Sequence, residues 1–433
     1  MLRSIVIHAL IVTVNSQNEI IQNGSMIFEG DTITYIGATP THLDLSSFDK
    51  VIDAHGNIVM PGLINTHTHA AMSLLRGYGD DLPLQEWLEQ KMWPIERRFK
   101  EEHIRLGTEL ALVEMLKSGT TTFNDMYQYM DVVADLVNQS GSRASLSRGM
   151  LGFGTKEMLR QKLKDTIRFA KQWHNQANGK IRVMISPHSA YTCSPDFIKE
   201  AVAVAKELNL PIHIHMAETE QEVKQNIEQY GTRPVEHLYH LGVFDQPTLV
   251  AHAVHVNHKE IQLLKKLDVK ISHNPGSNLK LGSGIAPVPD MLKIGLHIAL
   301  GTDSAASNNN LDMFEEMRLA SLIHKGYRQD PLAIPADIAI QMATRYGAEA
   351  LFWEDEIGSL EVGKKADFII LDSNQSHFHP MYDPISHIVY SASGKDVLDV
   401  FINGKQVVKN GEVLTLDEER IIFEVEKMVK QWR

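Results

Sequence analysis

At 433 residues the chain is long enough for one large domain with an appendage, or for two to three average domains, so a sizeable core is within reach. Hydrophobic residues make up 43% and charged residues 22%, an ordinary balance for a soluble globular protein. A formal net charge of −12 gives no general attraction to phosphate backbones or anionic lipid, and no apolar run reaches the about 18 residues of a membrane-spanning helix, so neither nucleic acid nor a membrane is an expected partner.

The opening residues Met1 to Val14 carry one positive charge, a histidine inside the apolar stretch and no small-residue cleavage site. They are expected to form a β-strand rather than a signal peptide. The first 60 or so residues continue as short β-rich segments, with a hairpin expected around Gly30-Asp31. From about residue 61 the rhythm changes, and short apolar runs alternate with longer helical patterns such as 103–117 and 196–208. Eight strand candidates follow in order: the run ending at His69, then Thr120–Asn124, Arg143–Arg148, Ile181–His188, Pro211–Met216, Thr248–His252, Val269–His273 and His297–Asp303. Eight βα units suit a closed (β/α)8 TIM barrel, whose active site lies at the C-terminal ends of its strands. An open doubly wound sheet is the rival, but the chain has no Gly-rich dinucleotide fingerprint and no Walker-type loop. Cys193, the single cysteine, excludes an internal disulfide and fits a reducing cytoplasm as a buried bystander. β-rich texture returns at Ala366–Asp372 and Val397–Val408, where Asn403-Gly404 signals a hairpin. The expected organisation is thus a small composite β-sandwich from residues 1–60 and 355–415, a barrel over 61–354, and a terminal amphipathic helix over 416–433.

The chemistry gathers at the strand ends. His67 and His69 are separated by one residue, so in an extended strand both project from one side and can grip one metal ion. A lone His-x-His is equally two unrelated histidines, but His-Met-Ala-Glu (215–218), Ala-His-Ala-Val-His (251–255) and Gly-Thr-Asp-Ser (301–304) each close an apolar run of their own. His67, His69, His215 and Asp303 make a nitrogen-rich set that suits Zn2+ or another borderline divalent ion and leaves room for a water. Such an ion lowers the pKa of bound water toward about 7, which points to hydrolysis. Glu218 lies three residues beyond His215, where it could move the proton of that water. Regular strand parity puts it on the face opposite His215, so an inward aim requires an irregular strand end, and a solvated loop carboxylate is the plain alternative. His252 is either a group that polarises a forming tetrahedral centre or a hydrogen-bonded core histidine, and Asp303 is expected both to bind metal and to accept a proton.

Pro61 to Met72, the segment from Leu75-Arg76-Gly77 to Pro94-Ile95-Glu96, His213 to Glu218, His273 to Asn278, Gly301 to Ser304 and Gly363 to Asp367 together resemble the amidohydrolase superfamily. Within it, they are similar to the branch of 5-methylthioadenosine/S-adenosylhomocysteine deaminases and triazine chlorohydrolases. The resemblance spans nearly the whole chain with its motifs in order. It implies a barrel with a composite β-sandwich, a mononuclear metal site at His67, His69, His215 and Asp303, Glu218 as proton shuttle and His252 assisting. The fourth strand end, Ser186-Pro187-His188, has no lysine of the kind that bridges two metals in binuclear relatives. By the same resemblance Glu96 meets ribose hydroxyls, Arg148 the carboxylate of the homocysteine tail, and His188 the sugar and purine, with Arg160 in the following loop a weaker second tail contact. Read alone, Glu96 is a helix-start charge, Arg148 a rim ion pair and His188 a turn residue. The implied reaction is hydrolytic deamination of an adenine nucleoside to the inosyl product and ammonia, with one divalent ion, Zn2+ before Fe2+, in each subunit. Deamination or dechlorination of another heterocycle, such as guanine or an s-triazine, is the alternative reaction, and a metal-binding barrel without turnover the alternative class. A small-molecule nucleoside is the expected partner, in the cytoplasm; homo-oligomerisation is left open.

Overall fold

The computed structural model describes residues 2–432. The chain opens with strands β1 (Arg3–Val12), β2 (Ile20–Glu29), β3 (Thr32–Ala38), β4 (Lys50–Asp53) and β5 (Ile58–Pro61). The central region contributes β6 (Leu63–Thr68), β7 (Thr120–Tyr127), β8 (Arg143–Met150), β9 (Ile181–Val183), β10 (Ser186–Pro187), β11 (Ile212–Met216), β12 (Thr248–His252), β13 (Lys270–His273) and β14 (Ile298–Leu300). β15 (Phe368–Leu371), β16 (Val397–Ile402), β17 (Lys405–Lys409) and β18 (Glu412–Val413) follow.

The eight expected barrel strands are all present and pair in parallel, in sequence order, as two arcs. The fourth is split: β9 and β10 both pair with β8, either side of Met184-Ile185. Single bridges, Ile185 to Ile212 and Ser189 to His215, join the first arc to the second. At the other seam no ladder forms among the described residues; Asp303 N donates to His67 O at 2.9 Å and Thr66 Oγ1 to Leu300 O at 2.8 Å. That close seam requires Gly301, where a Cβ would fall 2.8 Å from His67 N. Connecting helices lie where the apolar periodicity placed them, at Glu101–Lys117 and Pro195–Leu208. The second begins with a local signal, Ser194 Oγ accepting from Phe197 N with Pro195 in the first turn.

The two chain ends build one nine-stranded sheet, ordered β18-β17-β16-β15-β5-β1-β2-β3 with β4 on β1. Both expected hairpins form, pairing Glu29 with Thr32 and Ile402 with Lys405. Phe28 of β2 and Phe401 of β16 are four strand steps apart, about 19 Å in a flat sheet at ~4.8 Å per step. Their rings are only 6.5 Å apart, so the sheet curls onto itself around Val6, Met26, Phe28, Phe368 and Phe401. The helix Glu418–Val429 buries Ile421 against Leu106 and Val113 of Glu101–Lys117. Met1 and Arg433, the outer limits of the expected segments, lie outside the described residues.

Glu101–Lys117 in turn packs on the short turn Ala70–Leu75 that follows His69, and Gly107 is the contact point. A Cβ there would stand 2.2 Å from Ala71 O, a backbone atom with little freedom to give way. Gly107→Ala is therefore expected to lower stability by about 1–3 kcal/mol from overpacking. That exceeds the helix-propensity gain of about 1 kcal/mol. A urea midpoint at or above the parent value would show the packing reading to be wrong.

Candidate active site

His67 and His69 leave the end of β6, His215 stands in β11, and Asp303 follows β14. His67 Nε2 lies 3.5 Å and His69 Nε2 3.4 Å from Asp303 Oδ1, and His69 Nε2 lies 3.4 Å from His215 Nε2. Four ligands held tetrahedrally at 2.0–2.1 Å from one ion are separated by roughly 3.3–3.4 Å, so these three spacings match those expected around a shared ion. His67 Nε2 is buried with no hydrogen-bond partner, as expected of an atom reserved for a metal. Outer contacts orient the rings. His69 Nδ1 donates to Met126 O at 2.6 Å and His215 Nδ1 to His188 O at 2.9 Å, which leaves each Nε2 lone pair facing the site. His67 Nδ1 stands 3.1 Å from His213 Nε2, itself backed by Asn124. Burial pushes the His67 pKa down to about 4 and holds His215 well below the usual range, so both rings are neutral ligands at pH 7. Burial alone would raise the Asp303 carboxyl, but His67, His69 and His252 hold it well below the usual carboxylate range. Ser277 and Ser307 donate to Asp303 Oδ2 at 2.7 and 3.0 Å, and Ser304 N donates to Oδ1. The set fits one divalent ion.

The irregular strand end required by Glu218 is present. Ala217 adopts a left-handed φ of 51°, which breaks the alternation after Met216 and turns Glu218 into the same cavity as His215. Three more non-glycine residues at the barrel mouth share that region: His252 at 75°, Ala253 at 48° and Asp303 at 60°. Strain of this kind is worth on the order of 1–3 kcal/mol per residue and persists only where surrounding contacts impose it. His252 Nε2 is 3.8 Å from Glu218 Oε2, and its Nδ1 is held by Asn278 at 2.9 Å. Burial first, and the Asp303 charge second, raise the Glu218 pKa to about 8. Such a carboxyl exchanges protons near neutral pH.

A cavity of about 500 Å³ opens over these groups. Glu96 and His188 are among its lining residues. Tyr127 donates its hydroxyl to Glu96 Oε1, while burial raises the Glu96 pKa. The His188 ring centre lies 4.5 Å from that of His215, with Nδ1 3.0 Å from Thr192 Oγ1. Arg148 is not among the lining residues; its neighbours Gly149 and Leu151 are, and Arg148 occupies the alternate register, 3.7 Å from Asp131. Arg160 lies on the helix Lys156–Trp173 rather than in a loop, and is exposed. Arg97, next to Glu96 in the chain, also lines the cavity. So do Trp93 and Phe153, whose rings meet edge to face at 6.0 Å. Ser277 and Asn278, inside the His273 to Asn278 motif, and Ser307 were given no role by the sequence; the first two lie on the short helix Pro275–Lys280 and the third in the turn after Asp303.

Comparison with known proteins agrees with this geometry. The amidohydrolase family profile matches residues 58–407. A 5-methylthioadenosine/S-adenosylhomocysteine deaminase of Thermoanaerobacter pseudethanolicus is 47% identical over 97% of both chains, and one of Bacillus cereus is 49% identical over 97% of both. A zinc-bound adenosine deaminase structure from Xanthomonas campestris is 32% identical, with a TM-score of 0.93 over 99% of this chain and 98% of that one. With strand order, ligand set and near full-length similarity in agreement, the chain belongs to the amidohydrolase family.

Proposed function

We propose that this protein is a metal-dependent aminohydrolase that deaminates the adenine ring of 5'-methylthioadenosine and S-adenosylhomocysteine, giving the inosyl product and ammonia. The observation that carries this reading is the match over 97% of the chain to relatives of that name, supported by the cavity that gathers Glu218 and His252 beside the four ligands. We assign His67, His69, His215 and Asp303, linked by spacings of 3.4–3.5 Å, as the residues that would hold the ion, and Zn2+ ahead of Fe2+ from the nitrogen-rich donor set and the zinc in the Xanthomonas relative. When bound, it supplies Lewis acidity that brings water ionisation toward neutral pH. Glu218 takes the proton of the attacking water and passes it to a purine ring nitrogen as oxygen adds to C6. His252, 3.8 Å from Glu218, stabilises the charge that develops on the oxygen added at C6, and the second proton of that water moves to the amino group as ammonia leaves. Glu96 accepts from the ribose hydroxyls, with Tyr127 fixing its carboxylate, and His188 contacts the sugar and purine. The apolar wall of Trp93 and Phe153 suits the thioether. A buried free Cys193 accords with work in the cytoplasm, and among the described residues no helix is long and apolar enough to cross a membrane.

Ammonia release from methylthioadenosine, S-adenosylhomocysteine, adenosine, guanine and a chlorotriazine tests this directly. Turnover of the thioether nucleosides is expected; activity on guanine or the triazine alone would replace the substrate class. Arg148 is our residue for the tail carboxylate. Its guanidinium stands 3.7 Å from Asp131, outside the cavity lining, so meeting the tail requires it to turn away from a carboxylate that Arg168 already pairs at 2.9 Å. A charge-assisted hydrogen bond contributes roughly 1.5–3 kcal/mol, and 1.4 kcal/mol is tenfold. Arg148→Met should therefore cut kcat/KM for S-adenosylhomocysteine by about 10- to 100-fold, with little change for methylthioadenosine. If Arg97→Met has that effect and Arg148→Met does not, the tail belongs to Arg97.

A further inference from the structure

Glu222 is a buried carboxylate outside the ligand set and outside the main cavity lining. It is the third residue of the helix Glu220–Tyr230, whose cap Thr219 accepts from Glu222 N at 3.1 Å. In an ordinary capping box a third-position glutamate reaches back to the N–H of the cap residue itself. Glu222 reaches past it. Its Oε1 accepts from Ala217 N at 2.9 Å and its Oε2 from Glu218 N at 2.8 Å, so one carboxylate grips two consecutive amides. Those amides flank the left-handed Ala217, whose carbonyl accepts in turn from His255 N at 2.9 Å. The bend that aims Glu218 is thus tied on both edges. An alanine gains nothing of its own in this conformation, and a return to extended backbone would send Glu218 to the opposite face.

We propose that Glu222 is a positioning residue that acts through Glu218, holding the Ala217 bend so that the shuttle carboxylate faces the metal site. The proposal rests on Glu218 being the proton shuttle. A shuttle displaced by about 1 Å costs on the order of 100-fold in rate, so metal-loaded Glu222→Gln, which keeps one acceptor oxygen and turns an amide nitrogen toward a backbone N–H, should lose about 10- to 100-fold in kcat. KM for methylthioadenosine and metal content should stay near the parent values.

The decisive measurement is a double-mutant cycle of ammonia release in Glu222→Gln, Glu218→Gln and the double variant. If Glu222 acts through Glu218, its replacement lowers kcat in the parent and produces no further fall where Glu218 is already glutamine. An equal fold loss in both backgrounds marks general destabilisation and overturns the proposal, as does an unchanged kcat in the parent background. Should Glu222→Gln fail to fold, Glu222→Asp, with both acceptor oxygens on a shorter arm, is read through the same cycle by the same criteria. Full activity of Glu218→Gln alone would show instead that the shuttle assignment is at fault.

Discussion

Replacement of His67 by alanine is expected to remove metal and turnover together. His67 is buried, its Nε2 has no hydrogen-bond partner, and that atom lies 3.5 Å from Asp303 Oδ1, while the neighbouring His252 ring is held through Nδ1 by Asn278. Loss of a mere outer partner of a metal ligand typically costs ~10–100-fold in affinity or activity, and loss of a ligand itself should exceed that. The alanine leaves space where His69, His215 and Asp303 face one another, and a three-ligand remnant binds the ion weakly. Elemental analysis alongside ammonia release is the check. A variant with no metal and full activity would sink the mechanism, because every later role assumes an ion at this place.

Glu218→Gln should have the opposite signature, retaining near-stoichiometric metal while losing ~10²–10⁴-fold in kcat, the range for a general acid/base. Glu218 belongs to neither grouping of close metal-ligating atoms; its Oε2 lies 3.8 Å from His252 Nε2. Glutamine preserves its shape and removes its proton exchange. Loss of metal in this variant would make Glu218 a ligand, and normal turnover would leave the shuttle unassigned.

What the sequence determined by itself is whatever depends on neighbours along the chain. Short apolar runs between helical patterns placed the barrel strands, period-two alternation the His67/His69 pair, and Asn403-Gly404 and Gly30-Asp31 the hairpins, because these signals act over a few residues. The tertiary structure alone decided the rest. Parity turned Glu218 outward; His255, on the next barrel strand's loop, and Glu222, on the following helix, impose the left-handed Ala217 that turns it inward. Tyr127 on Glu96 and Asp131 beside Arg148 are contacts across 31 and 17 positions, with no local signature. Similarly, the curl that brings Phe28 to 6.5 Å from Phe401 joins opposite ends of the chain. Each is a hydrogen bond, ion pair or packing contact made only once distant segments are folded together, and a pattern over adjacent residues carries no term for it.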